Sequence, residues 1–281
     1  MKSVMAEFEN IVVSRSSIPS LAITVILMIA IPVVLFIFWR KNHRGETNYS
    51  YLIAGAIGFI VSARVLELGV HYFCVISDNP VSRFITGNNL AFVLYGITMA
   101  GVFEECGRHI VLKFVMKKNR TRENAIMYGI GHGGIEIMAV ILPSMISYLL
   151  IAVLFSKGNV ENALSTLKIT EDTALSALPA IRAAASFGYA SMAMNVIERL
   201  FAMIVHIGLS FIVFYGIVNS KKLYLLLAIL LHMLMDTFPA FYQRGLLPLW
   251  SVEIWAALWS AIIVIIALRL YRKSRPEEND D

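Results

Sequence analysis

Residues 101–114, GVFEECGRHIVLKF, place two acids and an arginine inside an otherwise apolar run. Glu104 and Glu105 lie four and three residues before Arg108, so the three side chains share one face if the stretch is helical. Two carboxylates beside an arginine, in apolar surroundings, form an arrangement expected of a general base that activates water. The stretch therefore predicts acid–base chemistry in a water-poor environment.

Two further pairs in apolar runs have the same four-residue spacing: His132 with Glu136, and His232 with Asp236. A histidine can help to orient an attacking water. A histidine beside an aspartate can stabilise an oxyanion or polarise a carbonyl group. Together with the glutamate pair, these residues are the parts needed to hydrolyse a peptide bond inside a membrane.

Zinc binding is an alternative, because histidine and carboxylate side chains are zinc ligands. The sequence has no His-Glu-x-x-His motif, since HGGIE at 132–136 and HMLMD at 232–236 each contain one histidine. A zinc site would need ligands from three segments, and the candidates are His132, His232 and Glu104. We predict a site without a cofactor and keep zinc as the alternative.

The segments that carry these residues are predicted to be membrane-spanning helices. The chain has 281 residues, of which 58% are hydrophobic and 15% charged, whereas soluble domains average about 25% charge. Seven apolar runs reach the roughly 20 residues that span a bilayer. They are 20–39, 51–76, 90–115, 125–155, 190–218, 223–242 and 249–271. The predicted fold class is all-α, with one polytopic helical-bundle domain over residues 1–281.

Basic clusters at 40–44, 117–122, 221–222 and 269–275 fall on one side of the membrane if the N-terminus is outside. The positive-inside rule makes that side, and the C-terminus, cytoplasmic. The outer loop 156–186 is then expected to contain a short interfacial helix broken at Pro179. The clusters account for the net charge of +5, so we expect lipid and a membrane peptide or protein as partners and no nucleic acid.

Counting along the spans tests whether the polar residues can meet. Glu104, His132 and His232 lie 13, 10 and 10 residues from the nearest basic cluster, which corresponds to a depth of roughly 15 to 20 Å. They can therefore form one layer. His206 lies 15 residues from its cluster, roughly 22 Å deep, and shares a face with Arg199. For these two we favour packing and charge balance, with support of the site as the alternative.

The segments EECGR at 104–108, YGIGH at 128–132 and HMLMD at 232–236 resemble, in this order, the signature of the CAAX-protease and bacteriocin-processing superfamily of intramembrane proteases. That signature is a Glu pair followed by Arg, an aromatic residue four before a His, and a His four before Asn or Asp. The short Glu-Glu-x-x-Arg spacing and GIGHGGIE resemble the YhfC family in particular. The resemblance covers residues 100–241.

The resemblance implies a glutamate-type intramembrane endopeptidase in a bacterial cell membrane, with multiple spans. It assigns roles to six candidate catalytic residues: water activation to Glu104 and Glu105 with His132, positioning of the Glu pair to Arg108, and the oxyanion site to His232 and Asp236. Candidate supporting residues are Tyr128, Glu136, Arg199 and His206. Because the spacing from the Glu pair to Arg is one residue shorter than in the larger superfamily, either carboxylate can be the base.

Two other functions stay open from the residues. A proton- or ion-coupled transporter would use the same charges as a relay, although the internal repeats typical of transporters are absent from the sequence. A non-catalytic membrane scaffold or immunity protein would retain the polar pocket without cleaving anything. Arg64, Glu67 and His71 share a helix face and are predicted to form a structural charge cluster.

Overall fold

The computed structural model of the chain describes residues 7–118 and 120–274, and no strand occurs among them. Seven helices are long and apolar enough to cross a membrane, which confirms the predicted all-α class and the number of spans. The seven candidate spans are α1 (Ser17–Asn42), α2 (Tyr49–Ile76), α4 (Asn89–Val115), α5 (Arg122–Phe155), α8 (Tyr189–Val218), α9 (Leu223–Gln243) and α10 (Leu249–Lys273). The shorter helices are α3 (Pro80–Gly87), α6 (Val160–Thr166) and α7 (Glu171–Ser186).

The predicted spans differ from the helices by at most three residues at either end. The differences arise because the helices continue past their apolar residues to polar capping groups. The side chain of Asn48 accepts a hydrogen bond from the backbone N–H of Ser50 at the start of α2. Asn88 caps α4 in the same way through the N–H of Ala91. Such caps satisfy backbone donors that the first helical turn leaves free.

The chain divides into two compact units, and the first comprises the described residues up to 31 together with 137–199. It contains both helices of the predicted outer loop, α6 and α7. Its apolar core includes Phe8, Phe155 and Ile181. The predicted break at Pro179 is wrong, because this proline lies inside α7. The helix continues because Pro179 is exposed, and so is Leu175, whose carbonyl would have been its hydrogen-bond partner.

The second unit comprises the described residues of 32–136 and 200–274, and it holds all the predicted site residues except Arg199. Glycines allow its helices to approach closely. A Cβ atom at Gly131 would collide with the carbonyl of Leu52 on α2, and a Cβ at Gly129 would lie 2.6 Å from the Cα of Ile207 on α8. The first half of α5 is therefore held between α2 and α8 at short distance, as small residues permit in membrane helices.

Candidate active site

Helix α4 contributes Glu104, Glu105 and Arg108, and all three residues are buried. The helix is fixed on two sides by glycines. A Cβ at Gly101 would lie 2.8 Å from Met233 of α9, and one at Gly107 would lie 2.6 Å from Ser62 of α2. These close approaches bring the polar face of α4 within reach of side chains on the neighbouring helices.

Arg108 joins α4 to α8. Its Nη1 donates a hydrogen bond to the carbonyl of His206 at 2.8 Å and another to the hydroxyl of Ser210. Its Nε lies 3.1 Å from Glu105 Oε2 in an ion pair whose side chains are fully buried. Breaking a buried ion pair leaves an uncompensated charge, so Arg108 and Glu105 depend on each other. Arg108 thus holds Glu105 and α8 in fixed positions.

Glu105 also binds His232 of α9, because its Oε1 accepts a hydrogen bond from His232 Nδ1 at 2.9 Å. The carboxylate partner fixes the ring so that Nδ1 carries a proton. His232 Nε2 then faces Asp236 Oδ2 at 3.4 Å and Glu104 Oε2 at 4.0 Å. Both oxygens of Glu105 are therefore engaged, one by Arg108 and the other by His232.

Glu104 faces a different set of partners. Its Oε2 lies 3.0 Å from His132 Nε2 of α5. The ring of His132 is fully buried and is bordered by the rings of Phe59 and Tyr128, with centroid separations of 5.2 and 6.0 Å. The predicted supporting residue Tyr128 is therefore beside the site, buried at its edge. His132 has little freedom to turn away from Glu104.

His206 lies in the same cluster, with its ring centroid 4.9 Å from that of His132. Its Nδ1 is 4.0 Å from Glu104 Oε2 and 3.3 Å from Arg108 Nη2. Its Nε2 is bound by Glu136 Oε2 at 2.6 Å. Glu136 therefore contacts His206; from the sequence it could either orient His132 or support the site as a further carboxylate.

The cluster has the donors of a catalytic zinc site. Ligand atoms of Glu104, His132 and His206 all lie within 4.8 Å of one another, and the three residues are buried. Two histidines and one glutamate form a known catalytic zinc set that leaves a fourth position for water. Glu105 is paired with Arg108, and Asp236 adds a further carboxylate 3.4 Å from His232 Nε2, so the acids beside the triad also favour a cation. The residues therefore fit the zinc alternative, but the triad contains His206 in place of the predicted ligand His232.

Nine of the ten predicted site residues meet in this cluster or border it within the second unit. The tenth, Arg199, belongs to the first unit and forms an ion pair with Glu198. Sequence reasoning undervalued His206 and missed Ser210, which donates to the carbonyl of His206 and accepts from Arg108. The four-residue spacing of His206 and Ser210 was the available signal.

The predicted structural charge cluster on α2 is formed in part. Glu67 and His71 are 3.2 Å apart, and His71 Nδ1 lies 2.7 Å from the hydroxyl of Tyr95. Arg64 is exposed. The π-helical segment Ile60–Glu67 turns the side chains of this part of α2 relative to a regular helix.

Comparison with known proteins shows which family the sequence resembles. A sequence profile described as "YhfC intramembrane metalloprotease" matches residues 27–256. The chain is 32% identical over 259 residues to the uncharacterized membrane protein YhfC of Bacillus subtilis, and the alignment covers 92% of this chain and 96% of that relative. No solved structure matches the chain. The profile match includes every residue of the cluster.

Proposed function

Because the chain belongs to the YhfC family of intramembrane metalloproteases, we propose that it hydrolyses a peptide bond of a membrane-embedded or membrane-bound peptide or protein. The observation that carries the proposal is the buried triad of Glu104, His132 and His206, whose donor atoms lie within 4.8 Å of one another. The candidate spans make the chain a multi-pass membrane protein, so its substrate would be met within or beside the bilayer.

In this proposal Glu104, His132 and His206 would hold a zinc ion. Zinc bound by two histidines and a carboxylate turns water into a nucleophile at neutral pH and polarises a carbonyl group. Glu136 orients His206 from its far nitrogen at 2.6 Å, which is how a carboxylate commonly supports a histidine ligand. The donor set and the family description fit this zinc alternative better than our prediction of a site without a cofactor.

His232 is the proton carrier of the proposed mechanism. When the ring is neutral and its Nδ1–H is donated to Glu105, Nε2 carries the lone pair and can accept a proton from the attacking water. The resulting imidazolium lies between Glu105 and Asp236, which stabilise its charge. It can then deliver the proton to the leaving amine. This role differs from the oxyanion role that the sequence resemblance implies for His232.

Arg108 acts through its partners. It holds Glu105 at 3.1 Å, Glu105 holds His232 at 2.9 Å, and His232 Nε2 is thereby directed towards Glu104. A chain of buried, oriented groups keeps the proton carrier aimed at the place of reaction, and such prior orientation is a large part of catalysis. Arg108 and Glu105 are positioning residues here.

A glutamate-type mechanism without metal is the second candidate for the same reaction. It is favoured by the 3.0 Å contact between Glu104 Oε2 and His132 Nε2, which would let this pair bind and activate a water directly. Both mechanisms require Glu104 and His132. They differ in the role of His206 and in their response to removal of metal.

The test uses purified protein in lipid nanodiscs together with membranes that contain equal folded amounts of each variant. Zinc content is measured by mass spectrometry, and new peptide termini are identified by terminal labelling. The variants are Glu104→Gln, His132→Ala and His206→Ala, with Glu198→Gln as a control outside the cluster.

We expect about one zinc per wild-type chain. The new peptide termini should disappear when a chelator is added and return when zinc is restored. The three cluster variants should lose both the zinc and the new termini. Termini that resist chelation but need Glu104 would establish the glutamate-type mechanism instead. If the termini from wild type and Glu104→Gln are identical, the protein is not a protease of this kind.

We also propose that the start of α1 is outside and the end of α10 is in the cytoplasm of a bacterial cell. The four basic clusters support this orientation through the positive-inside rule. A cysteine at Ser165, exposed on α6, should react with a membrane-impermeant thiol reagent from outside intact cells, whereas a cysteine at Asn42 should not. The opposite labelling pattern would reverse the proposed topology.

A further inference from the structure

A cavity of about 490 Å³ adjoins the polar cluster within the second unit, between α2, α4 and α9. Asp236 lines it and lies 3.4 Å from His232 Nε2, so the cavity begins at the proposed place of reaction. Most of its wall is apolar and includes Leu68, Phe92 and Pro239. Its volume is within the range of about 300 to 1,000 Å³ typical of ligand pockets.

We propose that this cavity is a substrate subsite that binds an apolar side chain on one side of the scissile peptide bond. The inference rests on the proposed function and adds to it a preference for large apolar residues. Of the four polar residues on the wall, His71 and Tyr95 are hydrogen-bonded to each other at 2.7 Å, Asp236 pairs with His232, and Gln243 is exposed. An apolar side chain therefore fits without leaving them unsatisfied.

The size of the residue at position 96 of α4 determines how much of the cavity volume stays empty. Gly96 lines the cavity, and a Cβ built on it meets no atom within 4 Å, so a side chain there would extend into open space without a collision. Along α4, Gly96 is eight residues before Glu104, which is about 12 Å of helix. An extended peptide rises about 3.3 Å per residue. The side chain near Gly96 would thus be about three or four residues from the cleaved bond.

The prediction is a change in selectivity when the cavity is filled. In Gly96→Leu the added side chain takes the space of a large substrate residue but leaves room for a small one. Hydrophobic pockets discriminate about 10- to 200-fold for a single methylene group. We therefore expect cleavage of a peptide with Phe at this position to fall at least about tenfold relative to the same peptide with Ala.

The matched control is Gly69→Leu. Gly69 is also helical and also has no atom within 4 Å of a built Cβ, but it lies on α2 and is not among the residues of the cavity wall. The control therefore adds the same side chain to a membrane span without filling the cavity. A second variant, Gly96→Ala, adds one methyl group and should shift selectivity in the same direction by a smaller factor.

The assay uses the full-length, metal-loaded protein in nanodiscs and a membrane peptide that the wild type cleaves. Positions up to four residues on each side of the cut are replaced in turn by Gly, Ala, Leu or Phe, and the ratio of Phe to Ala cleavage is measured. We expect one position at which Gly96→Leu lowers this ratio at least about tenfold and Gly69→Leu does not change it.

An unchanged ratio at every position in Gly96→Leu would overturn the subsite and leave the proposed protease intact. If Gly96→Leu fails to fold, the ratio in Gly96→Ala decides, and no shift there overturns the subsite as well. If every cut made by the wild type is also made by Glu104→Gln, the protease proposal fails, and the subsite proposal fails with it. These results are distinguishable because the wild-type cut is measured first.

Discussion

Replacing Glu136 by Gln tests the zinc proposal without touching a zinc ligand. Glu136 Oε2 lies 2.6 Å from His206 Nε2, so its charge fixes the imidazole in the orientation that leaves Nδ1 towards Glu104. Glutamine has nearly the same shape and keeps one acceptor oxygen, but it has no charge. The substitution therefore removes the charge-assisted part of the hydrogen bond to His206.

The size of the effect follows from that hydrogen bond. Hydrogen bonds to charged groups contribute about 1.5 to 3 kcal/mol, and those between neutral groups about 0.5 to 1.5 kcal/mol. The difference of about 1 to 1.5 kcal/mol predicts roughly a tenfold rise in the Kd for zinc. Removal of a partner behind a ligating histidine commonly weakens metal binding by about 10- to 100-fold, which agrees with this estimate. We expect a value near the lower end because Gln retains an acceptor.

The measurement is a zinc competition titration against a chelator of known affinity, on wild type, Glu136→Gln and the control Glu198→Gln in nanodiscs. Glu198 is an acid of α8 that pairs with Arg199, so its replacement makes the same chemical change at a residue that is neither a proposed ligand nor the partner of one. A Kd for Glu136→Gln equal to that of the wild type would show that His206 is not a ligand oriented by Glu136, and the reasoning would be refuted.

Three further predictions concern the same cluster. Arg108→Gln breaks a fully buried ion pair and should lower the free energy of unfolding by about 3 to 5 kcal/mol, measured by denaturant titration; an unchanged midpoint would contradict the pairing. Gly131→Ala should reduce the folded yield, since its methyl group would collide with a backbone carbonyl of α2, whereas Gly87→Ala, where the methyl group meets open space, should be tolerated. His232→Ala should abolish new peptide termini and keep zinc, whereas His206→Ala should lose both; loss of zinc in His232→Ala would make His232 a ligand.

The spans could be predicted from sequence because apolar length alone determines whether a helix can cross a bilayer. Most of the site could be predicted for a related reason. Charged residues inside a span rarely face lipid, and the four-residue spacing of His132 with Glu136 and of His232 with Asp236 shows which side chains share a face. The sequence thus identifies the polar face of each helix.

The partner of each residue could not be predicted, because it depends on how closely two helices approach. The depth estimate placed His206 slightly apart from the layer of Glu104 and His132, yet its ring contacts that of His132 at 4.9 Å. Gly129 lets α8 approach α5 beside this residue. Counting residues along one helix gives no information on the distance to a neighbouring helix. The sequence therefore pairs Glu136 with His132 on its own helix and not with His206.

The sequence left open which carboxylate of the pair reacts, and the contacts favour one answer. Successive residues of a helix point about 100° apart, so Glu104 and Glu105 cannot face the same centre equally. Both oxygens of Glu105 have partners, Arg108 and His232. Glu104 instead presents Oε2 to three histidines, at 3.0 Å from one and 4.0 Å from each of the others. In the proposed mechanism Glu104 is therefore the group available to a metal ion or a water, and Glu105 orients the histidine that moves the proton.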